Sequence, residues 1–404
     1  MAVRHPSAAR PDTIRRHNLS LMLTHLHHDG ALTRAELTQR LGVSRSTVGA
    51  LVADLTLLGL VEELVPTGGA GVGRPSHVVG PNSRGPIVIA VDVDVTHVTL
   101  AAIRLGGSVL LREEVALRDA GNTPQAVAAL VAEAVPRLCA GDQHGPVAPV
   151  GIGVSVPGTV DRDTGRVGVA PNLGWHDAPL GTLLRERIPQ APPIIVGNDA
   201  DLAVIAEHHR GSVRDCDDVV FLLGRAGVGA GVIVGGVPLR GHDGHAGEIG
   251  HNVVDSRGPR CHCGKNGCIE TYIGDGALLA LAGHPGEPTD AAVEAVFARA
   301  RDGEATALAS VRAIAEPLGR AIADLVNTLN PQRVVMGGSL ALHLEIARPE
   351  IEQALGGYAL ELHGRTVQLV APALGADSAL LGAAEAAFAP LLNDPLATMS
   401  ALAS

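Results

Sequence analysis

Ala246-Gly-Glu-Ile-Gly-His251 is followed by Cys261-His-Cys-Gly-Lys-Asn-Gly-Cys268-Ile-Glu270. One imidazole, His251, and three thiols, Cys261, Cys263 and Cys268, are the set that fills a tetrahedral structural zinc site, leaving no position for a metal-activated water. The other reading is reduced thiols, or a Cys-Cys bridge, in a Gly-rich loop. Five cysteines in 404 residues are too few for a disulfide scaffold, and three are bunched within eight residues, which favours a metal. Glu248 stands three residues before His251, so a metal on one ring nitrogen would orient the other toward whatever Glu248 binds. Folding of the ligand site and metal binding would then be coupled.

Outward from this loop, elements alternate. Ile87 to Val93, Val98 to Ile103 and Val109 to Ala116 read as an antiparallel meander. A helix from Thr123, with Pro124 at its first position, strands at Val150 to Val154 and Ile194 to Val196, and a helix from Ala200 follow. Val219 to Leu223 and Gly229 to Val234 repeat the hairpin theme, and later helices flank a strand at Arg333 to Met336. This predicts an α/β class with two similar lobes and a cleft between them, spanning 86–390. Residues 81–85 read as a polar linker and 391–404 as a C-terminal tail.

The length predicts two or three compact units, and 46% apolar residues with only six aromatics describe a globular chain whose core is aliphatic. No apolar run approaches the roughly 20 residues of a membrane span, and Met1 to Pro11 lacks the apolar stretch of a signal peptide, so a cytoplasmic protein with no membrane partner is expected. The net charge of −11 argues against nucleic-acid binding by the whole chain. It is uneven, however: residues 1–80 hold eight Arg against six acids, a local +2, leaving −13 for the rest. A DNA-contacting surface must therefore be N-terminal.

That segment, 1–80, has the pattern of a winged helix-turn-helix. Ile14, Leu21, Met22 and Leu26 recur at near-helical spacing between Pro11 and His28. Thr33-Arg-Ala-Glu36 is a capping box for a short helix stopping at Gly42. Ser44 caps a third helix, Arg45 to Leu58, with Val48, Leu51, Val52 and Leu55 inward. Val61 to Val65 and Ser76 to Val79 read as a wing. Arg45 suits guanine edges and Ser or Thr suit phosphates, so Arg34, Ser44, Arg45, Ser46, Thr47 and Arg74 are the candidate DNA contacts, Arg74 reaching a phosphate or a minor groove. The alternative is a small helical interaction module.

Gly151-Ile-Gly-Val-Ser-Val-Pro157-Gly158 with Asp161, Pro171-Asn-Leu-Gly-Trp175, Asn198-Asp199-Ala200, the Glu248/His251 motif and the cysteine loop stand in the order seen in the ROK family of repressors, open reading frames and kinases. The chain resembles that family over essentially its whole length, since its repressor branch also carries an N-terminal winged helix. The resemblance implies a two-lobed, actin-like or ribonuclease-H-like sugar-kinase fold. It implies that Asn172, Asn198, Asp199, Glu248, His251 and Glu270 contact the sugar, with Asp199 at the position of the kinases' general base. Carboxylates and amides suit a ring of hydroxyls, although Asn198 would also make a good helix N-cap.

Family kinases open with Asp-x-Gly-x-Thr, whereas this chain has Asp92-Val-Asp94-Val-Thr96. Asp94 brings a side chain and a negative charge where phosphates would lie, and a like charge at about 4 Å costs about 1 to 4 kcal/mol depending on the local dielectric. The second phosphate loop, usually Gly-Thr-Gly, reads Gly224-Arg-Ala-Gly227-Val-Gly229, without its hydroxyl; Arg225 is a partial replacement as a phosphate ligand. Gly337-Gly338 matches the family's adenosine-side turn. The expectation is a repressor whose affinity for a palindromic operator responds to a sugar or sugar phosphate, acting as a homodimer or tetramer, with structural zinc and without ATP. The alternative is an ATP-dependent sugar kinase with an attached DNA-binding domain.

Overall fold

The computed structural model describes residues 11–64, 78–117, 122–140, 147–284 and 289–402. At the N-terminus, α1 (Pro11–Asp29) buries Leu19, Met22, Leu23 and Leu26. These positions form an i, i+3, i+4, i+7 stripe. The expected stripe is corrected here: Leu21 lies about 200° from Leu19 and Leu23, and Ile14 precedes the packing surface, so both are exposed. After β1 (Leu32–Thr33), α2 (Arg34–Leu41) opens with the capping box, Thr33 and Glu36 each bonding the other's backbone N–H, and ends at Gly42 with φ 63°. Helix α3 (Arg45–Leu57) buries Val48, Leu51, Val52 and Leu55.

The wing strands β2 (Val61–Leu64) and β3 (Val78–Pro81) pair antiparallel, and β1 joins the other edge of β3. The third strand was not anticipated, because two residues carry no readable alternation. Arg74 lies outside the described residues.

The segment read as a linker is a hydrogen-bonded strap. Asn82 N–H donates to Leu60 O (3.0 Å), Asn82 Nδ2 to Gly59 O (2.9 Å) and Ser83 N–H to the Glu62 carboxylate (2.7 Å). A single apolar cluster runs from Leu23, Leu37 and Val52 of the winged helix to Val88, Ile103 and Phe388 beyond the strap.

The first lobe contains β4 (Ile87–Val93), β5 (His97–Arg104), β6 (Val109–Ala116), α4 (Pro124–Leu138), β7 (Pro149–Val156), β8 (Val160–Asp161), β9 (Arg166–Ala170), β10 (Trp175–Ala178), α5 (Leu180–Arg187) and β11 (Ile194–Asn198). Its main sheet has the order β11-β7-β4-β5-β6, with β4, β7 and β11 parallel. Ile87, Ile89 and Val91 face α4 and α5; Val88 and Ala90 face the opposite layer. Helix α6 (Asp199–Arg210) then crosses to the second lobe.

The second lobe repeats the plan. It contains β12 (Val219–Gly224), β13 (Val228–Val234), β14 (Val237–Pro238), α7 (Glu270–Ile273), α8 (Asp275–Leu281), α9 (Asp290–Arg301), α10 (Ala305–Leu329), β15 (Arg333–Gly338), α11 (Ser339–Tyr358), α12 (Glu361–Thr366) and β16 (Gln368–Val370). Its sheet order is β14-β13-β12-β15-β16, again a hairpin beside parallel strands. Val220 and Leu222 face α10 and α11, whereas Val219, Phe221 and Leu223 face α6.

Helix α13 (Ser378–Asn393) returns to the first lobe and lies on β7 and α6. A Cβ on Gly153 would stand 1.9 Å from Ala383 O, and one on Gly382 would stand 1.9 Å from Leu202 O, so both close approaches require glycine. The expected C-terminal tail is helical: α14 (Pro395–Leu402) places Leu396 and Met399 against the winged-helix core, and Asp394 pairs with Arg16 at 2.8 Å. No helix among the described residues is long and apolar enough to cross a membrane.

Candidate functional site

The cleft between the lobes holds a cavity lined by Asn172, Asn198, Asp199, Glu248, His251 and Glu270. Each reaches it from a different element. Asn172 sits in the single turn Pro171–Leu173 after β9, Asn198 and Asp199 at the β11–α6 junction, Glu248 and His251 at a single turn after β14, and Glu270 at the start of α7.

The polar atoms are partly committed. Asn198 Oδ1 accepts from Asp201 N–H at 3.0 Å, capping α6, and its Nδ2 donates to Gly158 O at 3.0 Å, so this residue first of all shapes the junction. Asp199 Oδ1 accepts from Ala200 N–H at 2.9 Å, leaving Oδ2 for a ligand. Burial pushes the Asp199 carboxyl up to about 7, against the nearby Arg225 guanidinium. Glu270 Oε2 accepts from Val228 N–H at 3.0 Å. A Cβ on Gly227 would stand 2.6 Å from Glu270 Oε2 and 2.7 Å from Asn172 Nδ2. Gly227 therefore lets the β12–β13 turn, residues 225–227, close over the cavity, with Gly229 already in β13.

Sequence reading missed Asp201 and His245, which also line the cavity. Burial pushes Asp201 up to about 7. Its position one turn into α6 from Asn198 was the available signal.

Below the cavity, one ligand atom each of His251, Cys261, Cys263 and Cys268 lies within 4.8 Å of the other three. Cys261 Sγ is 3.7 Å from His251 Nδ1, so the Nδ1 edge of the ring faces the thiols and Nε2 is left for the cavity. The loop is held as a hairpin by bridges Val253 to Cys268 and Arg260 to Asn266. A Cβ on Gly267, at φ 70°, would stand 1.6 Å from Asp255 O. One nitrogen and three sulfurs at this spacing fit a tetrahedral zinc ion.

The β4–β5 and β12–β13 turns, from opposite lobes, meet. Arg225 Nη2 donates to Asp92 Oδ2 at 2.9 Å, and Arg225 Nη1 stands 3.2 Å from Asp94 Oδ2. Asp94 Oδ1 accepts from Val95 N–H at 2.5 Å, and Thr96 Oγ1 bonds His97 Nδ1 at 3.0 Å. Arg225 is thus engaged by carboxylates of the opposite lobe and not held open for a phosphate. Gly337 and Gly338 have packing reasons for being glycine: their Cβ atoms would meet the Phe221 ring at 2.6 Å and Gly224 O at 1.8 Å.

At the N-terminus of α3, Ser44 Oγ accepts from Thr47 N–H at 3.2 Å and lies within 2.9 Å of the Ser46 and Thr47 hydroxyls. Ser44, Arg45 and Ser46 are exposed. Arg34 is placed differently: its guanidinium is bound to Glu63, tying α2 to the wing.

The ROK family profile matches residues 88–389, and a MarR family profile matches residues 20–71. The xylose repressor of Bacillus subtilis (strain 168) is 25% identical over 369 residues, covering 91% of this chain and 94% of that protein. The glucokinase of Halalkalibacterium halodurans is 31% identical over 310 residues, covering 73% of this chain and 92% of that protein. Among solved structures, a ROK family transcriptional regulator described as a homologue of the E. coli MLC protein superposes with a TM-score of 0.77 at 25% identity, covering 97% of this chain and all of that one. With a two-lobed fold, a cleft lined as the family resemblance implies, and a profile match across both lobes, this chain belongs to the ROK family, joined to a MarR-type winged helix.

Proposed function

We propose that this chain is a sugar-responsive transcriptional repressor, working in the cytoplasm, whose winged helix binds a palindromic operator and whose lobes hold a sugar or sugar phosphate. The observation that carries the reading is the contrast within one cleft. Six carboxylate, amide and imidazole side chains of the kind that suits hydroxyls line the cavity, while the neighbouring turns that resemble the family's phosphate loops are joined by the Arg225, Asp92 and Asp94 clasp. A polyanionic nucleotide would have to displace those ion pairs and sit against two carboxylates, a ring of donors and acceptors for an uncharged sugar would not. Asp199 then serves to accept a hydrogen bond from a sugar hydroxyl, not to activate it for transfer. The repressor relative spans nearly the whole chain, winged helix included, which favours the same conclusion.

Zinc bound by His251, Cys261, Cys263 and Cys268 would supply structural fixation, holding the imidazole so that Nε2 addresses the sugar beside Glu248. Arg45, Ser46 and Thr47 would enter the major groove, and a dimer would space two such helices about one DNA turn apart. Sugar binding changes operator affinity only by its differential affinity for two arrangements of lobes and winged helix.

The test is fluorescence anisotropy on DNA from upstream of the protein's own gene, at fixed salt, with xylose, glucose, N-acetylglucosamine and N-acetylglucosamine 6-phosphate. Specific binding released by one of them is expected. Indifference to DNA together with ATP-dependent phosphorylation of a sugar would replace this reading with the kinase, for which retained Asp199 is the specific argument.

A further inference from the structure

Away from the cavity, the described residues hold a second concentration of titratable groups around Glu385 of α13, which is 5% exposed. Its Oε1 accepts from Arg210 Nε at 2.5 Å and faces His27 Nε2 at 3.3 Å. Its Oε2 faces His28 Nε2 at 3.0 Å and His209 Nδ1 at 3.1 Å. His27 and His28 end α1 of the winged helix; His209 and Arg210 end α6. Three elements thus meet on one carboxylate.

The surroundings make that charge necessary. Gly106 N–H donates to His27 Nδ1 at 2.9 Å, so a neutral His27 carries its proton on Nε2. Burial holds the His27 imidazole down to about 4. Arg210 Nη2 stands 2.7 Å from that same Nε2, donor against donor, and Arg210 Nη1 donates to Gly106 O at 3.1 Å. Only the shared carboxylate makes this face-to-face approach of α1 and α6 favourable. His27, His28 and Glu385 have a spacing that suits a metal ion, but the Arg210 guanidinium already supplies the cation there.

The other end of α6 is the sugar cavity: Asn198 caps it, and Asp199 and Asp201 occupy its first turn. Twelve residues at about 1.5 Å rise separate the two sites by about 18 Å along one rigid rod. The Gly382 approach to Leu202 seats α6 against α13, so displacement of α6 is passed to the contact with α1. Just beyond α6, Arg214 pairs with Asp29 at the end of α1, and Asp29 also takes Arg40 of α2.

We propose that Glu385, with His28, His209 and Arg210, is a buried polar joint through which α6 couples the sugar cavity to the winged helix. The proposal rests on the sugar-responsive reading above and names how that response travels. Directional hydrogen bonds and ion pairs between packed helices have discrete alternative arrangements, which is what a two-state coupling element needs.

The experiment compares the full-length protein with Glu385→Gln and His209→Ala. Operator affinity is measured by anisotropy with and without xylose, glucose, N-acetylglucosamine and its 6-phosphate, and sugar affinity by the fluorescence of the single tryptophan, Trp175, which is 3% exposed beside the Asn172 turn. Glu385→Gln is isosteric. His209→Ala leaves no buried charge unpaired, so it decides the matter if the first variant does not fold. In the wild type, the ratio of operator Kd with and without sugar should be about 5 to 150. In the variants it should fall to within about twofold of unity while sugar Kd stays within about threefold. An unchanged ratio in a folded variant overturns the joint alone. A wild type whose operator affinity no sugar changes overturns the joint and the repressor reading together.

Discussion

Arg225→Ala should be among the most destabilising single changes in the cleft, although Arg225 contributes nothing to the apolar core. The guanidinium is flanked by Asp92 at 2.9 Å and Asp94 at 3.2 Å, with side-chain exposures of 8% and 13%. Burial works against its charge, but Asp92, Asp94 and Asp199 outweigh burial and hold its pKa above the usual value. Opposite charges about 4 Å apart attract by about 4 kcal/mol at an effective dielectric of 20. Removing one partner of a buried pair costs about 3 to 5 kcal/mol, because the charges left behind are uncompensated. Arg225→Ala leaves two nearly buried carboxylates facing each other beside Asp199, so a loss of about 3 to 5 kcal/mol in urea unfolding is expected. Asp94→Gly should cost far less than Arg225→Ala, since it removes one of two like charges together with an ion pair. In the Arg225→Ala background the same change should restore stability. A loss below about 1 kcal/mol for Arg225→Ala, or no restoration by Asp94→Gly, would refute the clasp as a buried, stabilising set of ion pairs.

Cys263→Ser should abolish stoichiometric zinc, read by metal analysis of the purified protein, and weaken sugar binding at least about tenfold, because His251 loses its anchor; full sugar affinity without metal would sink the coupling. Arg45→Ala should cost about 1 to 3 kcal/mol on the operator and little on random DNA, and equal losses on both would remove its base-reading role. Burial raises Asp199, Asp201 and Asp275 to about 7. Their unfolded carboxyls ionise near 4, so their own contribution to stability should fall as pH rises from about 4 to about 7 and level off above that, against the opposite slope of His27 and His343, which burial holds down to about 4. Urea midpoints of wild type and Asp275→Asn across that range isolate one carboxyl: the variant should gain stability relative to the wild type as pH rises from about 4 to about 7. Gly153→Ala should destabilise by at least about 1 to 3 kcal/mol, since its Cβ would stand 1.9 Å from Ala383 O; an unchanged thermal midpoint would contradict the close approach of α13 to β7.

Legibility in the sequence followed the range of the physics involved. Thr33 and Glu36 cap α2 through atoms three residues apart, Ser44 caps α3 in the same way, and the strands that alternation and turn chemistry placed in the two lobes appear within two residues of those positions, whereas β8, β9, β10, β14 and β16 were not anticipated. The His251 and cysteine spacing anticipated a cluster that the fold does close. These are local signals, or motif orders that local chemistry constrains. Ile14 and Leu21 fell outside the buried stripe because the periodicity of α1 could be judged only against the surface that covers it.

Long-range electrostatics were illegible for a different reason. Arg225 was a spare phosphate ligand on paper, and only the meeting of two hairpins from opposite lobes made it the partner of Asp92 and Asp94, 133 residues away in the case of Asp92. Nor did the sequence show that the wing would bring Glu63 to Arg34. The sequence by itself determined the element types, the two-lobed α/β plan, the winged helix and the identity of the chemistry-bearing side chains, since each depends on propensity, capping and spacing along the chain. Tertiary structure alone decided that strap and C-terminal helix weld the winged helix to the first lobe. It alone placed Glu385 among His27, His28, His209 and Arg210, because which charges a buried carboxylate meets is set by helix packing, and packing leaves no mark at any single position.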